Sequence, residues 1–258
     1  MHQRFAYLSL AAFMIVMTLA EVSAADTTNS HPLSAAERES FDQQNRKILD
    51  STGDDPRTVS VHSSRGDARF FLREYEQAVA EYRAMVKLQP DLDSSHWRLG
   101  IALFFAGQPE KAAEQFDKYH SFDDVDRENG IWRFLCHYRA YGAERAAKEL
   151  LRYDRDDREP FPLVYRLFDG SITPEEAMAQ IPETLPARER DKRLFYTELY
   201  IGMLKTVQGD MKAARSALHK ATSRKWPRAA GFGPNYMWHV ARLQFDELEE
   251  TILQPRRP

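Results

Sequence analysis

Ala78, Ala112 and Ala146 are spaced 34 residues apart, and each sits in the same local pattern. A glycine stands twelve residues before the first two, at Gly66 and Gly100. A large apolar residue follows each alanine by four, at Tyr82, Phe116 and Leu150. This self-similarity constrains the fold more than any composition does. A period of this length holds two helices and a turn, and one such unit cannot bury its own apolar face, so the units must stack. The small residues at the glycine and alanine positions let the two helices of a unit cross closely. The aromatic one turn later fills the space beside the crossing. Pro90, twelve residues past Ala78, stops the second helix. The expected fold class is therefore all-α, a helix-turn-helix solenoid.

The units can be laid out along the chain. The first covers 59–92 and carries Gly66, Tyr75, Ala78, Tyr82 and Pro90. The second covers 93–126 with Leu99, Gly100, Ala112 and Phe116, and has Asp124 in place of the closing proline. The third, 127–160, keeps Ala146 and Leu150 but places Phe134 where glycine is usual, and so is degenerate. A further clear unit contains Gly202, Ala214, Leu218 and Ala221. Ala214 lies two periods after Ala146, so a worn unit falls at 160–182, with helical pieces at 163–168 and 174–181. The pattern resembles the tetratricopeptide repeat (TPR) superfamily, which implies a solenoid of about four to five repeats over 54–229. An N-terminal capping helix is expected at 34–53, where Ser34 and Glu37 form a capping box ahead of Phe41, Ile48 and Leu49. A C-terminal capping helix is expected at 230–250, where Tyr236, Met237, Val240, Ala241, Leu243 and Phe245 have amphipathic spacing. The tail at 251–258 reads as disordered.

The first residues read as an export signal. Arg4 supplies a thin positive region, 5–20 is an apolar run, and Val22-Ser23-Ala24 fits the small-x-small cleavage pattern. This gives a signal peptide at 1–24 and a flexible leader at 25–33, and places the protein in the periplasm or outside the cell. An uncleaved signal would leave it membrane-associated. The one cysteine, Cys136, lies far from the apolar run, so there is no lipobox, and no internal disulfide can form. Cys136 itself reads as a buried apolar residue. Formal net charge is −3 with both signs mixed throughout, which argues against a nucleic-acid-binding face.

No motif announces chemistry. The chain has no phosphate-binding loop, no dinucleotide fingerprint, no zinc-protease or nucleophile-elbow pattern and no Cys-x-x-Cys. His62 and His96 are one period apart, but the equivalent third position is Gly130, so they read as packing or surface residues rather than metal ligands. Asp123, Asp124, Asp126 and Glu128 lack the spacing of a calcium loop and read as a solvated inter-repeat turn. The run 154–159 alternates in sign and reads as an exposed loop. No catalytic residue, cofactor, metal site, nucleic-acid partner or small-molecule substrate is expected.

What stands out is an apolar row. In the TPR superfamily, the first helix of each repeat lines the concave face. Carrying the ligand-facing positions over gives Phe70 and Phe71 from the first unit, and Trp97, Ile101, Phe104 and Phe105 from the second. The third contributes Tyr138 and the fourth Tyr196. Left open, this row forms a groove for a peptide or helix of a partner protein. Curled shut, or buried in a homodimer, the same residues become core. Asn129–Tyr138, 162–170 with Thr173-Pro174-Glu175, and 195–202 leading to Gln208-Gly209-Asp210 are similar to exported bacterial TPR proteins of the NlpI-type lipoprotein group, over roughly residues 55–243. The resemblance implies a non-catalytic adaptor or scaffold of the cell envelope that brings together partner proteins such as hydrolases and proteases. The alternatives are a self-associating structural protein or an unrecognised hydrolase.

Overall fold

The computed structural model describes residues 31–53, 57–155 and 157–253. The expected signal segment, nearly all of the leader, and the tail beyond 253 lie outside the described residues. Every element described is a helix, and all belong to the unit spanning Pro32–Pro258. α1 (Ala35–Thr52) leads into α2 (Val59–Phe71) and α3 (Tyr75–Leu88). A 3-10 turn (Pro90–Ser95) joins these to α4 (Trp97–Phe105) and α5 (Pro109–Phe122). Then come α6 (Arg127–Tyr141) and α7 (Ala143–Lys148), α8 (Phe161–Phe168) and α9 (Pro174–Ala179), and α10 (Ala187–Val207) and α11 (Met211–Ser223). The short α12 (Trp226–Ala229) and the long α13 (Phe232–Leu253) close the series.

Local chemistry sets these boundaries. Ser34 and Glu37 form the expected reciprocal capping box at α1, and Thr173 and Glu176 form another at α9. Thr58, Asp126 and Asp210 cap α2, α6 and α11 with side-chain oxygens. His96 caps α4 through a ring nitrogen, Nδ1 accepting from the Leu99 amide at 3.3 Å. The turn inside a helix pair needs one left-handed residue. Gly107 and Gly209 supply it at φ 69° and 80°, and Arg73, one period before Gly107, adopts φ 67° without being glycine. Arg73 is held there by a two-pronged ion pair with Glu250 of α13.

The helix pairs cross where the period places small residues. A Cβ built on Gly66 would lie 2.4 Å from the Tyr82 ring, one on Gly100 2.7 Å from the Phe116 ring, and one on Gly202 2.5 Å from Leu218. Ala78, Ala112, Ala146 and Ala214 are all buried. The third pair departs as Phe134 foretells. Phe134 packs edge-on against Phe168 at 5.3 Å instead of leaving room for a crossing helix, and α7 stops after six residues at Lys148. The described residues on either side of 156, at 149–155 and 157–160, then lie outside any long helix and pack on α6. Tyr153 donates to the Asp126 carbonyl, and Arg127 donates to the Arg155 carbonyl.

α13 does not act as an amphipathic cap over the last pair alone. Residues 236–245 are buried without a break, polar His239, Arg242 and Gln244 included. A helix buried all round belongs inside a fold. α13 packs on α11, but it also reaches back to the first two pairs and to α1. Tyr236 stacks on Phe70 at 5.2 Å and meets Trp97 edge-on at 5.0 Å. Phe71 stacks on His239 at 4.0 Å, and Phe41 of α1 meets Trp238 at 5.4 Å. Arg242 donates to the Phe71 carbonyl, and Tyr75 donates to Glu247 at 2.7 Å.

Candidate functional site

The aromatic row expected to form an open groove is largely core. Phe70, Ile101, Phe104, Phe105 and Tyr196 are buried, and Phe71, Trp97 and Tyr138 are partly buried against the same core. The physical reason is α13, whose side chains occupy the space a partner helix would need. Phe70, Phe71 and Phe105 are spent on Tyr236, His239 and Tyr75. Phe104 lies under Arg139 and beside Trp132, and Tyr138 packs on Phe134. Trp97, Ile101 and Tyr196 are different. They line a cavity of about 360 Å³ left beside the N-terminal end of α13, where Gly233, Pro234 and Met237 form one wall.

The other walls come from α5, α6, α10, α12 and the 149–160 loop. Phe116, Trp132 and Trp226 are apolar or aromatic lining, and Tyr119, Asp126, Glu128, Asn129, Arg158, Glu159 and Lys192 are polar lining. A space of this size, with aromatic and charged side chains in comparable share, has the dimensions of a ligand site. Along one wall lies a carboxylate cluster, whose Asp126 and Glu128 line the cavity while Asp157 stands behind them. The Arg158 guanidinium reaches Glu128 at 2.6 Å, Asp157 at 3.2 Å and Asp126 at 3.3 Å, so three carboxylates share one cation. The Glu128 side chain is only 13% exposed, and its second oxygen accepts from the Tyr200 hydroxyl. Burial pushes its pKa up to about 7. Asp126 and Asp157 add to this, and Arg158 and the Tyr200 hydrogen bond work against it. Burial raises Asp126 as well, against the pull of Arg158. Burial disfavours the charge on Arg158, but Glu128, Asp126 and Asp157 outweigh it, and the guanidinium is held protonated beyond its ordinary range. The other cation of the wall, Lys192, pairs with Glu189 at 2.8 Å.

Two buried polar atoms in this wall have no partner. Asn129 donates its amide to the Phe116 carbonyl at 3.2 Å, which fixes the side-chain orientation and leaves Oδ1 without a donor. Trp132 Nε1 has no acceptor. Asn129 is 3% exposed and Trp132 2% exposed. Groups so buried are ordinarily hydrogen-bonded, and both line the cavity.

Sequence reasoning placed Asp126 and Glu128 in a solvated turn. Asp123 and Asp124 fit that description: Asp123 accepts from the Val125 and Asp126 amides, and Asp124 pairs with Arg155 at an exposed position. Asp126 and Glu128 are instead turned inward by the loop that carries Arg158. The one signal available in the sequence was the break of the repeat at Phe134, which releases that loop. Cys136 is buried, and burial raises its thiol far above the reactive range. His62 pairs with Glu81 and His96 serves as a cap, so the two are not brought together. Among the described residues no group of three or more His, Cys, Asp or Glu side chains is placed to hold a metal ion. No described helix is long and apolar enough to cross a membrane. No protein-family model matches the chain.

Proposed function

We propose that this protein is an exported tetratricopeptide-repeat protein of the cell envelope that works as a non-catalytic binding module. It holds a segment of a partner protein at the cavity beside the N-terminal end of α13, not along an open aromatic groove. The pairs α2/α3, α4/α5 and α10/α11 are its regular repeats; α6/α7 and α8/α9 are its degenerate ones. The cavity is the observation that carries this reading, because aromatic and charged side chains line it together while the remaining aromatic row is packed within the chain, Phe70 and Phe71 on α13 and Phe104, Phe105 and Tyr138 on Trp132, Tyr75 and Phe134. A self-associating structural role draws on the same aromatic row, and that row is occupied within the chain.

Gly233 gives a direct test. A Cβ at this position meets nothing within 4 Å, so a larger side chain enters free space at the wall. The expected outcome is retained helicity and a loss of partner capture from envelope extracts, compared side by side. Capture unchanged by Gly233→Leu sinks the cavity as the binding place. Turnover of an envelope substrate that disappears with Glu128→Gln would instead make the protein an enzyme.

A further inference from the structure

We infer that the cavity takes the basic side chain, lysine or arginine, of the partner segment; this rests on the reading of the cavity as the partner site. The spare hydrogen-bonding capacity of the wall is mostly acceptor capacity. Its cations are already committed, Arg158 to three carboxylates and Lys192 to Glu189. Asp126, Glu128 and Asp157 together carry more negative charge than the one guanidinium between them neutralises. Glu159, on the same wall, adds a further carboxylate. An ammonium or guanidinium brings several N–H donors and a positive charge to this place. The aromatic lining suits the rest of such a residue. Trp97, Trp226 and Tyr196 offer faces for a cation and for the methylene stem that carries it. An acidic side chain fits badly, because it would meet the carboxyl groups of Asp126, Glu128 and Glu159.

The cation also couples to a proton. Glu128 faces Asp126 at the start of α6, Asp157 and Arg158 in the loop, and Tyr200 on α10. A bound cation favours the ionised carboxylate, so binding releases a proton and tightens as pH rises from about 6 to about 8.

The test is calorimetric titration of the protein with N-acetyl-lysine methylamide and N-acetyl-arginine methylamide. Parallel titrations use N-acetyl-norleucine methylamide, acetate and spermidine. At least one basic probe should bind roughly tenfold or more tighter than the neutral isostere, with acetate weaker still. Gly233→Leu should abolish that binding with helicity retained, and Glu128→Gln should remove most of the pH dependence. Norleucine binding as well as the basic probes, acetate binding better than either, or no basic probe binding below about 10 mM overturns the assignment. Spermidine binding well ahead of both amino-acid probes overturns it too, since the site would then serve a free amine. Partner capture that is lost with Gly233→Leu while no basic probe binds leaves the cavity as the partner site and removes only its ligand class. Capture indifferent to Gly233→Leu removes the partner site itself.

Discussion

Gly100 and Gly233 are both helical glycines, yet an added methyl group meets different surroundings at each. At Gly100 it falls within 3.1 Å of three atoms of the Phe116 ring, which is itself buried and has nowhere to turn. At Gly233 it meets nothing. Helix propensity favours alanine over glycine by about 1 kcal/mol at Gly100, whereas Gly233 stands in the first turn of α13 directly before Pro234, where a side chain is restrained by the proline ring. Gly100→Ala should lose about 1–3 kcal/mol in urea denaturation through overpacking, and Gly233→Ala should lose clearly less. A neutral Gly100→Ala would mean that the period does not mark the close crossing of the helices. His96 makes a second residue-scale case. Burial lowers its pKa from 6.5 to about 4, with Arg98 adding to the effect. The folded state therefore prefers the neutral ring. Stability from this group is complete above about pH 6.5 and is lost as pH falls toward about 4, because the unfolded chain takes up the proton first. The shift is worth on the order of 3 kcal/mol. Asparagine keeps a capping acceptor at α4 without a titrating ring. His96→Asn should flatten the fall of melting temperature across that acid window, and an unaltered slope would place the titration elsewhere.

At the scale of elements, α13 decides what the aromatic row is for. Tyr236 stacks on Phe70, meets Trp97 and shares a 3.3 Å hydroxyl contact with Tyr82. Truncating a fully buried aromatic leaves a cavity that costs about 3–5 kcal/mol. Tyr236→Ala should cost that much in denaturant titration, although it lies at least 130 residues along the chain from the helices it contacts in the first two pairs. A cost below about 1 kcal/mol would return α13 to the role of a dispensable cap. The regular helix pairs were legible in the sequence, because each rests on local signals: a glycine at the crossing, an alanine twelve residues on, and a large apolar residue four after that. The destination of α13 was not, because its apolar spacing is equally good for a helix covering the end of a stack and for one laid along its inner face. Only the unbroken burial of 236–245, with His239, Arg242 and Gln244 inside, separates the two. The site was legible in part. Trp97, Ile101 and Tyr196 were read as ligand-facing and do line the cavity. Glu128 and Arg158 were read as solvated, since a sequence cannot show that 30 residues of degenerate repeat fold a loop back onto the helix where it began.

Across the whole molecule, α13 changes how stability is distributed. In an open stack each repeat touches only its neighbours, so opening one unit leaves distant ones intact. Here the last helix joins the first pair through Arg73 and Glu250, Tyr75 and Glu247, and Arg242 and the Phe71 carbonyl. It also joins α1 through Phe41 and Trp238. Breaking the second pair therefore loosens a wall that α13 depends on, and with it the contacts of α1 and α11. Native-state hydrogen exchange reads this directly, because it reports the opening free energy of each helix separately. Gly100→Ala, a change confined to α4, should lower the opening free energy of the most protected amides in α13 and α2 by the same amount as in α4 itself. A linear stack predicts a loss restricted to α3, α4, α5 and α6. Equal losses throughout would mean that the cavity at the N-terminal end of α13 sits in a frame that opens only when the whole unit does. A partner segment would then enter a preformed site instead of prying repeats apart, and its affinity would escape the cost of ordering the receptor.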